Sequence, residues 1–512
     1  LGGVMEAQAE LLSGDEGGEP WPLPEGWVWT KLGGLGQWVG GGTPSKANPA
    51  FWNAGDIPWV SPKDMKVAII GNTEDKITKE AVELSSAKYV PAGSVLMVMR
   101  SGILRHTFPV AVSDRVVTLN QDLRAITPHQ NINPAYISRY LTLSSSRIIN
   151  YCAKDGTTVN SIDAVSLEKF LIPLAPLAEQ RRIVARIDTL FAEIATGEAA
   201  LAEAKKGVET FRKALLKAAV TGELTKDWRE QNPVTETGHD LLARIEKTRT
   251  TSPVANGRRR RDVDASPIKV SELPCLPRSW AWTTLGEIAD VVGGATVDRK
   301  RKPVDPITVP YLRVANVQRG RVDLSEVKSI TVEQSLAKKL SLKIGDLLLN
   351  EGGDRDKIGR GWVWEGSVPL MIHQNHVFRA RLLDSSFNPY FFSHYSNELG
   401  RRYFIDEGKQ TTNLASISLS KITLLPVPVP PPAEAAEILR RVTEALSAAD
   451  DTLAMLDAEA ANAARLKQAI LKAAFEGRLV SQDSSDEPTS TLLARLKGEG
   501  LASKPARKKR GH

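Results

Sequence analysis

LPEGWVWTKLGGLGQWVGGGT at residues 23–43 returns as LPRSWAWTTLGEIADVVGGAT at 276–296, and this repetition decides the fold. Trp27 matches Trp280 and Trp29 matches Trp282 at one offset (280 − 27 = 253), and 11 of the 21 positions are identical. A second echo closes each half: Leu216, Lys217, Ala218, Ala219, Gly222 and Leu224 recur as Leu471, Lys472, Ala473, Ala474, Gly477 and Leu479 at offset 255 (471 − 216). The repeated unit is therefore a whole domain plus a helix, far longer than the ~20–50-residue period of a solenoid. Between the echoes the halves have diverged, so two similar frames hold different contents. This pattern predicts one molecule that reads two different things at a set separation.

Working outward, residues 21–176 mix short apolar runs with Gly, Pro and Asn punctuation, which predicts an α+β block rich in loops. From 177 to 222 the texture becomes helical. Ile183, Ile187, Leu190, Ile194, Leu201, Ala204, Val208, Phe211, Leu215 and Ala218 are spaced by three and four, with Gly197 filling one slot, as in a coiled-coil seam. About 44 residues at about 1.5 Å each give a rod about 65 Å long, ended by Gly222. The plan repeats as a block over 274–432 and a helix over 433–477, whose stripe runs through Val442, Leu446, Ala449, Leu453, Leu456, Ala460 and Ala463 before slipping to Leu466 and Ile470. Each helix has an apolar stripe and no partner in its own half. The expected solution is an antiparallel coiled coil holding two tandem globular domains at the ends of a spacer, related by a pseudo-twofold internal repeat. Outside this frame lie an extension (1–20), a linker (223–273) with a short helix and the Arg258–Arg261 run, and a basic tail (478–512) in which LLARLK (492–497) echoes LLARIE (241–246).

Lys plus Arg exceed Asp plus Glu by seven (67 − 60), a mild basic balance that favours phosphate without demanding it. The two cysteines, Cys152 and Cys275, exclude a disulfide framework and a cysteine-rich zinc site. No apolar run approaches the ~18 residues of a membrane span and no secretory pattern opens the chain, so a cytoplasmic protein is expected. The absence of an initiating Met suggests an artefact or an unusual start.

Catalytic motifs are missing: there is no phosphate loop, nucleophile elbow, zinc-protease pair or strand followed by a dinucleotide fingerprint. NPAF (48–51), NPAY (133–136) and NPYF (388–391) resemble the Asn-Pro-Pro-aromatic motif of adenine-N6 methyltransferases. All three lack the second proline, and none follows a glycine-rich loop for a methyl donor. Asn133-Pro134 and Asn388-Pro389 each open a helical stretch, where Asn caps and Pro takes the first helical position. His373 and His376 lack the further ligands a metal needs.

The segments suited to reading DNA are glycine-rich polar loops after apolar runs: MRSGILRH (99–106) with NQD (120–122), and LNEGGDRDKIGR (349–360) with HQNH (373–376). Arg can contact guanine and Asn or Gln adenine through two hydrogen bonds, and glycines let backbone approach phosphate. The residues expected to contact DNA are Thr43, Ser45, Lys46, Arg100, Ser101, Arg105, His106 and Gln121 in the first block. In the second they are Asn350, Glu351, Asp354, Arg355, Lys357, Arg360, His373, Gln374 and Asn375.

Taken in order, GGGTPSKANPAFWNAGDIPWVSPKDM (40–65), RSGILRH, LNQDL, PLAPLAEQRRIVARID (173–188) and LKAAVTGELT (216–225) resemble the specificity subunit of type I restriction-modification enzymes. The second half matches through VPYLRVANVQRG (309–320), LNEGGDRDKIGRGWVW, IHQNHVFRARL and PVPPPAEAAEILRRV (428–442), so the resemblance covers about residues 21–480. It implies two target-recognition domains, each reading half of an asymmetric bipartite double-stranded DNA target, with the helices as ruler. It also implies that this subunit is not an enzyme and holds no cofactor. Two modification subunits would bind S-adenosylmethionine and methylate adenine N6, while restriction subunits would use ATP and Mg to move along and cut DNA. The second half departs from the family where AEAAEIL replaces the Leu-x-Glu-Gln-Arg-Arg run. Alternatives are a specificity subunit of another two-part restriction system, a self-contained methyltransferase, and a protein-binding coiled-coil scaffold.

Overall fold

A computed structural model describes residues 21–154, 159–251, 273–296, 303–353, 357–410 and 415–502. The fold is α+β, and the chain forms two compact units, Leu1–Leu201 with Ala458–His512, and Ala202–Asp457. The first long helix, Leu177–Thr221, therefore contributes to both units, as does the second, Pro432–Phe475. This division differs from the sequence-based one, which placed boundaries at helix ends. The reason is that each unit buries a length of both helices.

In the first unit a five-stranded sheet runs in the order Gly36–Gly40, Leu123–Pro128, Val95–Val98, Val110–Ser113, Ile69–Ile70. Val95–Val98 is apolar at every position because it is covered on both faces, and all four residues are buried. Beside it lies a small sheet of Lys76–Ile77, Ile57–Val60 and Thr118–Leu119. The second unit repeats the central arrangement with Ala289–Val292, Val377–Leu382, Leu347–Asn350 and Gly361–Val363. Lys328–Glu333, Pro306–Leu312 and Ile372–His373 form its companion sheet.

The tryptophan signature lies at the root of each unit. Val28–Lys31 pairs antiparallel with Leu171–Leu174, the strand just before the first long helix; Ala281–Thr284 pairs in the same way with Pro426–Val429 before the second. Buried Trp27 donates its Nε1 hydrogen to Glu179 at 2.8 Å, and buried Trp280 donates to Glu434 at 2.9 Å. Both carboxylates sit in the first turn of a long helix, where the helix dipole favours negative charge. AEAAEIL thus keeps the glutamate that matters for this joint. What it loses are the Gln180, Arg181 and Arg182 positions: in the first unit the Gln180 amide bridges Ala175 O and Asn133 N, and Arg182 pairs with Asp486.

Each long helix ends at a glycine with positive φ, Gly222 (+79°) and Gly477 (+70°). A Cβ on Gly222 would lie 2.6 Å from Pro277, and one on Gly477 2.2 Å from Pro24, so side chains are excluded twice over. The following chain folds onto the unit it has reached. In the second unit Gly238–Thr251 buries Leu241 and Ile245, and Gly238 N donates to Ser279 O at 2.8 Å. In the first unit Thr489–Ala502 buries Leu492, and Thr489 N donates to Gly26 O at 3.0 Å. The stretches read as linker and tail are therefore packed where they are described. The Arg258–Arg261 run, the first 20 residues and residues 503–512 lie outside the described residues.

The helices pair antiparallel in each unit. In the second, Lys205 bonds Asp457 at 2.5 Å and Arg212 pairs with Asp450, so a step forward from 205 to 212 is matched by a step back from 457 to 450. In the first, Lys467 holds Glu198 at 2.7 Å, while Ile183 and Ile187 share a core with Leu471, Ala474 and Phe475. The seam departs from expectation at Gly197 and Ala204, which are exposed, and at two large residues in equivalent places (466 − 211 = 255). Phe211 is 49% exposed and Leu466 52% exposed. The next residues, Arg212 and Lys467, are the ones that turn inward and make the ion pairs, their long stems covering the seam.

Burial raises the Glu179 carboxyl pKa above its ordinary value, against the lowering effect of the bonds from Trp27 and Gln482. The folded chain thus holds this proton more tightly than the unfolded chain. Its contribution to stability is full below the ordinary carboxylate range and is lost as pH rises through the raised value. Thermal melts of wild type and Glu179→Gln should therefore converge in acid and separate in favour of the variant as pH rises. A difference independent of pH would contradict this.

Among the described residues, no helix is long and apolar enough to cross a membrane.

Candidate nucleic-acid interface

Strand register gathers the polar loops at one end of each central sheet. In the first unit Gly40 lies opposite Arg124 and Val98 opposite Leu123, so the exit of Gly36–Gly40, the exit of Val95–Val98 and the entry to Leu123–Pro128 converge. Thr43, Gln121 and Arg100 follow or precede these strand ends. Their approach is close: a Cβ on Gly41 would lie 1.8 Å from Asn120 O. The second unit has the same convergence, with Asn350 opposite Val377 and Val292 opposite Arg379, and a Cβ on Gly294 would lie 2.0 Å from His373 O.

Asp122 organises the first cluster. Its Oδ1 accepts from Arg100 Nε at 2.7 Å and its Oδ2 from Gln121 Nε2 at 3.4 Å, while the Thr43 hydroxyl bonds Gln121 Oε1. Met99 N and Arg100 N both donate to Asp122 O, at 2.7 and 3.2 Å. Ser101 caps the short turn Gly102–Arg105, and Arg105 Nε donates to Asn160 Oδ1 at 3.2 Å. Arg105, His106, Ser45 and Lys46 are exposed. The structure thus joins Thr43, Arg100 and Gln121 directly, and attaches Arg105 through Asn160.

The second cluster differs from expectation at two residues. Asn350 and His373 are fully buried. Asn350 Nδ2 donates to Val317 O at 2.9 Å and Val314 O at 3.3 Å, and His373 Nδ1 bonds Val377 O at 2.6 Å. Burial lowers the His373 pKa to about 4, which keeps the ring neutral. Both side chains are turned into the loop base, where they bond backbone carbonyls, and not toward the surface as a DNA contact would require. Glu351 instead pairs with exposed His376, Nδ1 to Oε2 at 2.5 Å. Gln374 and Asn375 are half-exposed beside it, as is Lys357, while Arg360 Nη2 donates to Val314 O at 3.4 Å. Asp354 and Arg355 lie outside the described residues.

Sequence reasoning passed over the hairpin that Asn350 holds. Val317–Gln318 pairs with Arg321–Val322 across a two-residue turn of Arg319 and Gly320, the latter at φ +79°. The signal was present in QRGR: two arginines around a turn glycine, at a tip whose Arg319 and Arg321 are exposed. Asn160 was also missed, and Asp122 and His376, though inside the NQD and HQNH segments, were not among the residues chosen; each acts by holding or extending a residue that was.

The three Asn-Pro motifs are caps. Asn133 Oδ1 accepts from Ala135 N at 2.9 Å, Asn388 Oδ1 from Tyr390 N at 3.1 Å, and Asn48 Oδ1 from Ala50 N at 3.1 Å. Tyr136 and Phe391 are buried in their cores.

Residues 24–206 match the family described as "Type I restriction modification DNA specificity domain". The type I restriction enzyme EcoR124I/EcoR124II specificity subunit of Escherichia coli is 45% identical over 172 residues, 33% of this chain and 43% of that protein. The EcoKI specificity subunit of Escherichia coli strain K12 is 25% identical over 513 residues, 95% of this chain and 99% of that protein. A solved chain from a study of complex assembly and conformational transition in a type I restriction-modification system has the same fold. Its TM-score is 0.60 at 17% identity, covering 90% of this chain and 100% of that one.

Proposed function

We propose that this chain, which is similar to type I restriction-modification specificity subunits, is one of them, and that each unit reads one half of an asymmetric, bipartite DNA target. The observation that carries this reading is the pair of matching strand-end frames with different side chains on them: Thr43, Arg100, Arg105 and Gln121 in one, Glu351, Lys357, Gln374 and Asn375 in the other. Exposed Arg, Lys and amide groups on short loops held by sheets suit base edges and phosphates. The paired helices set the distance between half-sites. Their outward apolar residues, Phe211 and Leu466 at equivalent positions, suit docking of two copies of one partner, the adenine-N6 modification subunit. Restriction subunits complete the complex. In this reading the chain is not catalytic; S-adenosylmethionine, ATP and Mg act on the partners.

The experiment is genome-wide adenine methylation after co-expression with the partner modification subunit, with each protein alone as control. The expected result is a split motif with two unlike halves, present only when both are expressed. Methylation by this chain alone would sink the reading in favour of an enzyme, and a palindromic motif would remove the two-reader account.

A further inference from the structure

The two strand-end frames carry the same device built from opposite strands. In the first unit the exposed member of the pair is Arg100 (side chain 57% exposed), on the strand exit, and the sheltered member is Asp122 (20%), on the facing segment. In the second the exposed member is His376 (54%), on the facing segment, and the sheltered member is Glu351 (29%), on the strand exit. The backbone frame is shared: Met99 N donates to Asp122 O at 2.7 Å, and Glu351 N donates to His376 O at 2.9 Å. Each unit thus presents a nitrogen-bearing group braced from behind by a carboxylate: donor nitrogens on Arg100, and on His376 the ring nitrogen Nε2, which accepts from Asn375.

The brace selects which atoms face outward. Asp122 occupies Arg100 Nε, leaving the two terminal amino groups of the guanidinium in one plane pointing away from the brace. Two parallel donors match the two acceptors, O6 and N7, that only guanine presents side by side in the major groove. A carboxylate fixing the fork also removes rotamers that would otherwise be lost on binding. His376 Nδ1 donates to Glu351, leaving a single nitrogen, Nε2, as an acceptor, to which Asn375 Nδ2 donates at 3.4 Å. One nitrogen makes one hydrogen bond and discriminates less.

We propose that Arg100, positioned by Asp122, reads a guanine in the half-site of the first unit, and that His376, positioned by Glu351, makes the equivalent single-point contact in the other half. This rests on the bipartite-reader function above. Arg100 would be the residue touching the base and Asp122 a positioning residue.

The test is adenine methylation by the complex of this chain with its modification subunit on a library randomised across both half-sites. Wild type should give a fixed guanine in one half. Arg100→Ala should reduce discrimination at that guanine about ten- to hundredfold and leave the other half unchanged. Asp122→Asn, which keeps the backbone bonds, should relax the same position, a pattern that a merely structural role would not produce. His376→Ala should relax one position in the other half by a smaller factor. Loss of methylation spread evenly over all sequences in Arg100→Ala and Asp122→Asn would overturn the proposal, as would relaxation at a base other than guanine. A wild-type complex that methylates without any split motif would instead overturn the functional reading, and this inference with it.

Discussion

Replacing Arg229 with Leu should destabilise the second unit by about 3–5 kcal/mol, the usual cost of stranding a buried charge. The Glu434 side chain is 0% exposed and its carboxylate is held by Arg229, by the Thr225 hydroxyl at 2.8 Å and by Trp280 Nε1 at 2.9 Å. The two neutral donors cannot offset the desolvated charge once the guanidinium is gone. Denaturant titration of the full chain, followed through tryptophan fluorescence, should show the second unit unfolding early. The double variant Arg229→Leu with Glu434→Gln should recover most of the loss, because the amide oxygen still accepts from Trp280 and Thr225. A double variant no more stable than the single one would show that the ion pair is not the source. The first unit offers a contrast: Glu179 there receives Trp27 and the neutral Gln482, at 2.6 Å, while Arg182 is engaged with Asp486. Gln482→Leu should cost only about 1–3 kcal/mol, as for a lost neutral bond to a buried group.

These joints explain what was legible in the chain. Trp27 and Trp280 repeat because each has one required partner, and that partner, Glu179 or Glu434, repeats with them even where the surrounding run changes. Glycines at Gly222 and Gly477 repeat because a left-handed turn abuts a proline. The caps at Asn133 and Asn388 were readable because capping depends on a few neighbouring residues. The seam was less readable: at Phe211 and Leu466 an apolar pattern suggested burial, yet a seam slot is a matter of angle, and Arg212 and Lys467 fill it with long apolar stems. The interface was least readable. Asn350 and Glu351 are neighbours in one glycine-rich segment, but a strand end alternates sides, so one is buried and the other reaches the surface. His373 and His376 divide in the same way. Polar residue type alone cannot reveal that difference, nor that Asp122 braces the donors beside it.

Inserting seven residues into each long helix at matched levels, after Leu201 and after Asp457, should abolish methylation at the wild-type target and create methylation at one with a longer spacer. The insertion preserves the stripe, since a heptad returns each seam residue to the same face. It adds about 10 Å to each helix, equivalent to about three base pairs at about 3.4 Å per pair. The half-site letters should remain unchanged, because the strand-end frames that carry Arg100 and His376 lie outside the helices. Three base pairs also turn the duplex by about a third of a ~10.5-base-pair repeat, whereas a two-turn insertion rotates the helix face by only about 20°. The variant must therefore twist its helices or the DNA to face both half-sites, so its activity on the new spacer should fall below wild type. Changing a single helix would put the Glu198–Lys467 pair out of step with Lys205–Asp457 and Arg212–Asp450 and should destabilise the helix pair. Sequencing methylated adenines from cells expressing the matched insertion separates these outcomes. An unchanged spacer would mean that DNA or the modification subunits, and not these helices, set the distance.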